Sequence, residues 1–257
     1  MFKGFQDTSR GPMFRGFPNL NFQSNNAAYG FGNLAFWLNP SQGLSSTVNG
    51  AQISNWQESI NRINFLQGTS ANQPLLISSD INFNNHPTLD FSLGTRCLTA
   101  DRTLFFNQGN TLVIVYRATN LKFQQDAHYR IVGSGLQTYT RSNGNTGYCV
   151  GGILDFSASN GAGIFSSWAP QSLYSTSLWT TNRYIVVITN TSLIANGSVI
   201  DTGSITGFNL QHLGGTSGNG GSSANFILAD LLMYSQSFND NDAIQLCNNI
   251  NQKYLIY

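Results

Sequence analysis

Charge is what this sequence has least of. Only 9% of its 257 residues are Asp, Glu, Lys or Arg, whereas soluble domains average about 25%. Gly, Asn, Ser, Thr and Gln take their place, so solubility rests on amides and hydroxyls. Twelve basic against 11 acidic residues leave a formal net charge of +1. No broad field is present to gather nucleic acid or an anionic membrane, and neither partner is expected. Long apolar runs are missing too: nothing approaches the roughly 20 residues of a membrane span, so no membrane insertion is expected. The amino-terminal stretch MFKGFQDTSRGPMFRGF lacks the apolar core of a signal peptide, which predicts synthesis in a host cytoplasm. Cysteine is sparse and odd in number. Cys97, Cys149 and Cys247 form no C-x-x-C pair and have no histidine at ligand spacing, so they read as small buried hydrophobes.

Glutamate is scarcest of all, with Glu58 alone. Retaining glycosidases hold two carboxyls about 5 to 5.5 Å apart. Here no two of the 10 aspartates stand at i, i+2 along a predicted strand, the spacing that puts both on one face. No G-x-S-x-G elbow is present either. Catalytic residues, cofactors and metals are therefore expected to be none, and the protein is expected not to be an enzyme. Asp80-Ile-Asn-Phe-Asn84 opens like a calcium loop, but Asn85 stands where the glycine belongs and Phe91 where the glutamate belongs. Ile81 and Phe83 alternate with the polar residues, which predicts a strand. His86, His128 and His212 lie far apart and read as surface or packing residues.

What is present is β patterning. Leu34 to Leu38 is a short apolar run, Thr88 to Phe91 alternates, and Thr111 to Arg117 and Arg183 to Thr189 are β-branched runs suited to the middle of a sheet. Two Asn-Gly pairs, Asn49-Gly50 and Asn196-Gly197, predict tight hairpins, the first of type I′ because both central residues then take positive φ. One helix is expected at the end. Asn239 or Asp240 caps it, Asp242 sits in its first turn, Lys253 sits in its last, and Ala243, Cys247, Ile250 and Tyr254 share a face. Before it, Asn225 to Tyr234 is an apolar strand interrupted once, by Asp230. A buried carboxylate needs hydrogen-bond donors, so Asp230 is expected to play a structural part, anchoring backbone amides of an adjacent loop. Between the last strands, HLGGTSGNGGSSANF over residues 212 to 226 carries no phosphate-loop spacing and reads as an exposed connection.

The order Ala35-Phe-Trp-Leu-Asn39, Val48-Asn-Gly, Ile53-Ser-Asn-Trp56, Asn72-Gln-Pro-Leu75, Asn85 to Phe91 and Asn110 to Tyr116, followed by Arg183 to Thr189, Ala195-Asn-Gly197, Leu213-Gly-Gly215 and Ala229 to Tyr234, resembles the laminin-G-like (LamG) branch of the concanavalin A-like lectin/glucanase superfamily. The resemblance covers residues 34 to 254. It implies an all-β, two-sheet antiparallel jelly-roll sandwich with a C-terminal helix, and members of the branch occur in adhesion proteins, sugar-binding modules and phage virion proteins. Gln57 and Asp230 depart from the usual acidic residue and the frequent glutamate at their positions.

Two regions are expected, an extended arm over residues 1–33 and the jelly roll over 34–257. The arm repeats Phe2-Lys3-Gly4-Phe5 as Phe14-Arg15-Gly16-Phe17; Phe2, Phe5, Phe14, Arg15 and Phe17 are the candidate assembly contacts. Sugar recognition uses flat aromatic faces beside amides, and Trp168, Tyr174 and Trp179 are the candidate carbohydrate contacts. Together these features lead to the expectation of a non-enzymatic virion structural protein: a head decoration, head fibre or tail appendage subunit of a bacteriophage. Its partners would be capsid or tail proteins, further copies of itself as a homo-oligomer, and a host-surface glycan. The alternative is a carbohydrate-binding or adhesion module without a virion role.

Overall fold

The computed structural model describes residues 27–93, 95–106, 109–120, 129–133, 137–140, 146–149, 152–157, 161–165, 174–175, 178, 181–203, 208–214 and 225–257. In chain order the strands are β1 (Leu34–Leu38), β2 (Asn55–Gln57), β3 (Asn64–Leu66), β4 (Leu75–Asp80), β5 (His86–Asp90), β6 (Leu98–Phe106) and β7 (Thr111–Asn120). There follow β8 (Tyr129–Gly133), β9 (Gln137–Thr140), β10 (Thr146–Cys149), β11 (Gly152–Ser157), β12 (Gly161–Phe165) and β13 (Tyr174–Ser175). The last are β14 (Arg183–Ile188), β15 (Ser192–Ala195), β16 (Ser198–Thr202), β17 (Phe208–Leu213) and β18 (Asn225–Tyr234), before helix α1 (Asp240–Tyr254).

They build two large antiparallel sheets. The first runs β16-β15-β14-β7-β18-β5-β4, with β1 also paired to β18; the second runs β13-β12-β11-β8-β17-β6-β3-β2. Strands β9 and β10 pair with each other. This is the all-β sandwich with one C-terminal helix that the sequence patterning predicts.

The first sheet is apolar on both faces, and its strands show why. On β7, Leu112, Ile114 and Tyr116 enter the core between the sheets, while Val113 and Val115 enter a second core beneath α1. On β14, Val186 and Ile188 face inward, and Ile185 and Val187 face the helix. Such strands must read as continuous apolar runs, because period-2 alternation then separates two apolar sides. Helix α1 closes the outer core with Ala243, Leu246, Cys247, Ile250 and Tyr254. Its N-cap Asn239 accepts a 2.9 Å bond from the Asp242 backbone N–H, and Asp240 and Asp242 lie near its positive end. Cys97 and Cys247 are buried and form no disulfide, and burial pushes the Cys247 thiol up to about 12.

Strand β18 carries the one irregularity that matters for polar chemistry. Phe226 and Leu228 face the other sheet, and so do Leu231 and Met233, so the parity changes between them. A bulge does this: Leu228 pairs with Tyr116, whereas Asp230 pairs with the next residue back, Val115. The inserted residue lets Ala229 and Asp230 lie together on the helix side.

Two local expectations fail. Asn49-Gly50 is not a type I′ hairpin: only Gly50 has positive φ, at 76°, and no strand flanks it. Asn49 instead uses its side-chain oxygen to accept from the Ser78 backbone N–H at 2.9 Å, so tertiary bonding outweighs the local preference. Asn196-Gly197, with φ of 48° and 77°, is the double-positive turn, and it joins β15 to β16 through the Ala195–Ser198 pair. Ile81 to Phe83 is a 3-10 turn rather than a strand. Asp80 caps it, accepting from Asn82 N at 2.9 Å and from the Thr88 hydroxyl at 3.1 Å. Phe83 is buried while Ile81 is 82% exposed.

Candidate functional site

The outer face of the second sheet carries a polar ladder. Trp56 on β2, Phe65 on β3, and Leu98 and Ala100 on β6 are buried between the sheets. Alternation therefore turns Asn55, Gln57, Asn64, Leu66, Thr99 and Asp101 outward. Register brings these side chains into line, since Gln57 pairs with Asn64 and Leu66 with Thr99. The Asn64 side-chain oxygen accepts from Asn55 Nδ2 at 3.4 Å and from Gln57 Nε2 at 3.3 Å. Asn64 in turn donates to Asp101 Oδ2 from its backbone N–H at 3.2 Å and from its side-chain amide at 3.1 Å. Arg102 Nε lies 3.2 Å from Asp101 Oδ1, and Arg62 Nη1 lies 3.5 Å from Gln57 Oε1. Burial works against ionisation of Asp101, but the Asn64 bonds and the Arg102 guanidinium hold its carboxyl below the ordinary value. Leu66, 47% exposed, adds an apolar contact beside the amides. Planar amides with one carboxylate and an exposed aliphatic group can bond sugar hydroxyls and cover a C–H face.

Two carboxylates lie elsewhere, both fully buried, and Trp37 joins them. Its backbone N–H donates to Glu58 Oε1 at 2.8 Å, and its indole Nε1 donates to Asp230 Oδ1 at 2.7 Å. Glu58 also accepts from the backbone N–H groups of Ile60 at 2.7 Å and Asn61 at 2.6 Å. Asp230 accepts from the hydroxyls of Tyr29 and, at 2.9 Å, Tyr254, with Lys253 Nζ 3.8 Å away. The Asp230 partners are thus side chains from three separate regions, not the backbone amides of a neighbouring loop. The bulge on β18 explains the difference, because it aims the carboxylate into the helix layer. Burial pushes both carboxyls above their ordinary values; backbone bonds oppose this at Glu58, and Lys253 with the three donors opposes it at Asp230.

Sequence reasoning singles out Asp230 but not its partners Tyr29, Trp37 and Tyr254, the knot around it, and it misses the ladder altogether. Gln57 stood out only as a departure from an acidic position, and the alternation of Asn55-Trp-Gln57 and Asn64-Phe-Leu66 was the available signal. Tyr174 begins β13, at the edge of the second sheet opposite β2. Its side chain lies outside the described residues, as do Trp168, Trp179, Phe2, Phe5, Phe14, Arg15 and Phe17. His212 is buried with its Nδ1 3.0 Å from the Thr99 hydroxyl. Among the described residues, no group of three His, Cys, Asp or Glu side chains can hold a metal.

No family model and no curated protein matches the chain by sequence. Solved structures do. A Trypanosoma rangeli sialidase bound to a difluoro-KDN compound is 12% identical, with a TM-score of 0.51 over 86% of this chain and 33% of that one. An arabinofuranosidase complexed with arabinofuranosyl-α-1,2-xylobiose is 14% identical, with a TM-score of 0.50 over 80% of this chain and 52% of that one. The chain therefore spans between a third and about half of these proteins. The likeness shows the fold alone, a two-sheet sandwich. It also overturns the expectation that the chain is not an enzyme, since proteins that share the sandwich are enzymes. That expectation rested on carboxylates close in sequence, whereas a folded sheet brings together residues far apart in the chain. A shared fold assigns no reaction to this chain.

Proposed function

We propose that the chain is a glycan-binding β-sandwich module of the laminin-G-like kind, reading sugar with the outer face of its second sheet. The ladder Asn55, Gln57, Asn64 and Asp101 carries this reading. It is a line of amide and carboxylate groups held in register by three strands and bonded to one another at 3.1 to 3.4 Å. A preorganised polar row on a rigid sheet loses little entropy when hydroxyls bond to it. The test is a printed glycan array probed with the full chain. Asn64→Ala and Gln57→Ala should weaken binding about tenfold each, with an unchanged circular dichroism spectrum. Binding that ignores both substitutions, or no binding to any glycan, would sink the reading.

A finer reading puts the module on a bacteriophage particle as a head decoration, head fibre or tail subunit. It is supported by the scarcity of charge and by the repeated Phe-Lys-Gly-Phe and Phe-Arg-Gly-Phe of the arm. Ala28 and Tyr29 pack into the helix layer, so a deletion that isolates the arm has to stop at residue 26. Without residues 1–26 the domain should fold and fail to join particles; normal incorporation would refute the docking role.

A further inference from the structure

The polar ladder ends in two arginines, and their circumstances differ. Arg102 is committed to Asp101, at 3.2 Å. Arg62 meets only the neutral Gln57 oxygen, at 3.5 Å, and among the described residues no ion pair within 4.0 Å is formed by it. Both side chains are open to solvent. The row thus carries two positive charges against the single negative charge of Asp101, and Arg62 feels the buried Glu58 only at a distance, without an ion pair.

The backbone places Arg62 with care. Its φ is 58°, in the left-handed region, which an arginine adopts only when its surroundings impose it. The imposition is visible. Glu58 accepts from Ile60 N and Asn61 N, the Glu58 backbone N–H donates to Ile63 O at 2.8 Å, and the Asn61 amide donates to Ala35 O at 2.6 Å. A buried carboxylate thus shapes the tight loop that delivers a guanidinium to the end of the amide row. A planar guanidinium with donors free is suited to a carboxylate, which it can grip through two parallel N–H bonds.

Building on the glycan-binding reading, we infer that the ligand is an acidic glycan whose carboxylate is taken by Arg62, while Gln57, Asn64 and Asn55 bond the hydroxyls of the same or the adjoining sugar. Arg102, beside Asp101, marks the far end of the subsite. Neutral glycans would use the amides alone and bind more weakly.

The experiment uses the full chain and an array of matched glycan pairs that differ in one carboxylate, such as sialylated against asialo glycans and uronates against their methyl esters. The acidic member of the preferred pair should bind about tenfold more tightly, and this preference should shrink as salt rises from about 50 to about 300 mM. Arg62→Gln should abolish the preference, so that the acidic and neutral members of each pair bind alike. Sulfated glycans on the same array, if preferred over carboxylated ones, would overturn the assignment. So would equal binding within every pair, or a preference that survives Arg62→Gln. Equal binding that still disappears in Asn64→Ala would overturn the acidic ligand alone. Binding to no glycan at all would overturn both readings.

Discussion

Glu58 and Asp230 are both carboxylates with no solvent exposure, yet they are satisfied in opposite ways. Glu58 is a local device. Two of its three donors are backbone N–H groups two and three residues ahead, so it folds its own loop and borrows only the Trp37 N–H. Asp230 is a long-range one, with donors on Tyr29, Trp37 and Tyr254, 201, 193 and 24 residues away. A buried acid stabilised by its own loop shapes a surface. One stabilised by distant side chains holds layers together, here the segment around Tyr29, the edge strand β1 and the final turn of α1.

The contrast breaks most sharply at Asp230. Asp230→Ala leaves two hydroxyls, an indole N–H and Lys253 without their acceptor, and should reduce stability by about 3 to 5 kcal/mol in urea unfolding. Loss of under about 1 kcal/mol would show that the knot is not holding the layers. Glu58→Ala should cost less, about 2 to 3 kcal/mol, because the loop can reopen its N–H groups to water. Hydrogen exchange should then quicken at Ile60 and Asn61 while β7 and β18 stay protected; uniform quickening would erase the distinction between local and long-range roles. The smallest effect is a pH dependence. Both carboxyls sit above their ordinary values of 3.8 and 4.5, so the folded state holds its protons more tightly than the unfolded chain. Their contribution is fully present below those values and is lost as pH rises through the folded-state values. Urea midpoints should therefore fall as pH rises from about 4, and less steeply in Glu58→Gln than in the wild type.

Much of the fold was legible, and the reason is physical. Strands buried on both faces have to be apolar throughout, so Thr111 to Arg117, Arg183 to Thr189 and Asn225 to Tyr234 announce a covered sheet. The helix announces itself through its cap, its charges and its four-three-four spacing. The Asn-Gly pairs at 49–50 and 196–197 show where legibility stops. Asn196-Gly197 joins strands that need its twist, whereas Asn49 is drawn away by Ser78, 29 residues distant. Asp80 to Asn84 fails for a similar reason: Asp80 bonds forward to Asn82 and also to Thr88, which curls the segment into a turn. The candidate site was hardest to see, because no stretch of sequence contains it. Asn55, Asn64 and Asp101 become neighbours only after three strands are in register.

Among the described residues of the stretch HLGGTSGNGGSSANF, Gly214 has an identity that the packing explains. Gly214 has φ of 77°, and a Cβ there would come within 2.4 Å of Arg96 O and 2.8 Å of a Phe91 ring carbon. It closes β17 in the second sheet before the chain crosses to β18 in the first; residues 215–224 lie outside the described residues.

The Tyr29–Asp230–Tyr254 knot also gives the molecule a front and a back. Residue 28 and the end of α1 are fastened to the same side of the first sheet, and the amide row looks out from the far side of the second. Two sheets stacked about 10 Å apart separate them. Residue 28 and the end of α1 therefore lie behind the sandwich, on the side away from the amide row.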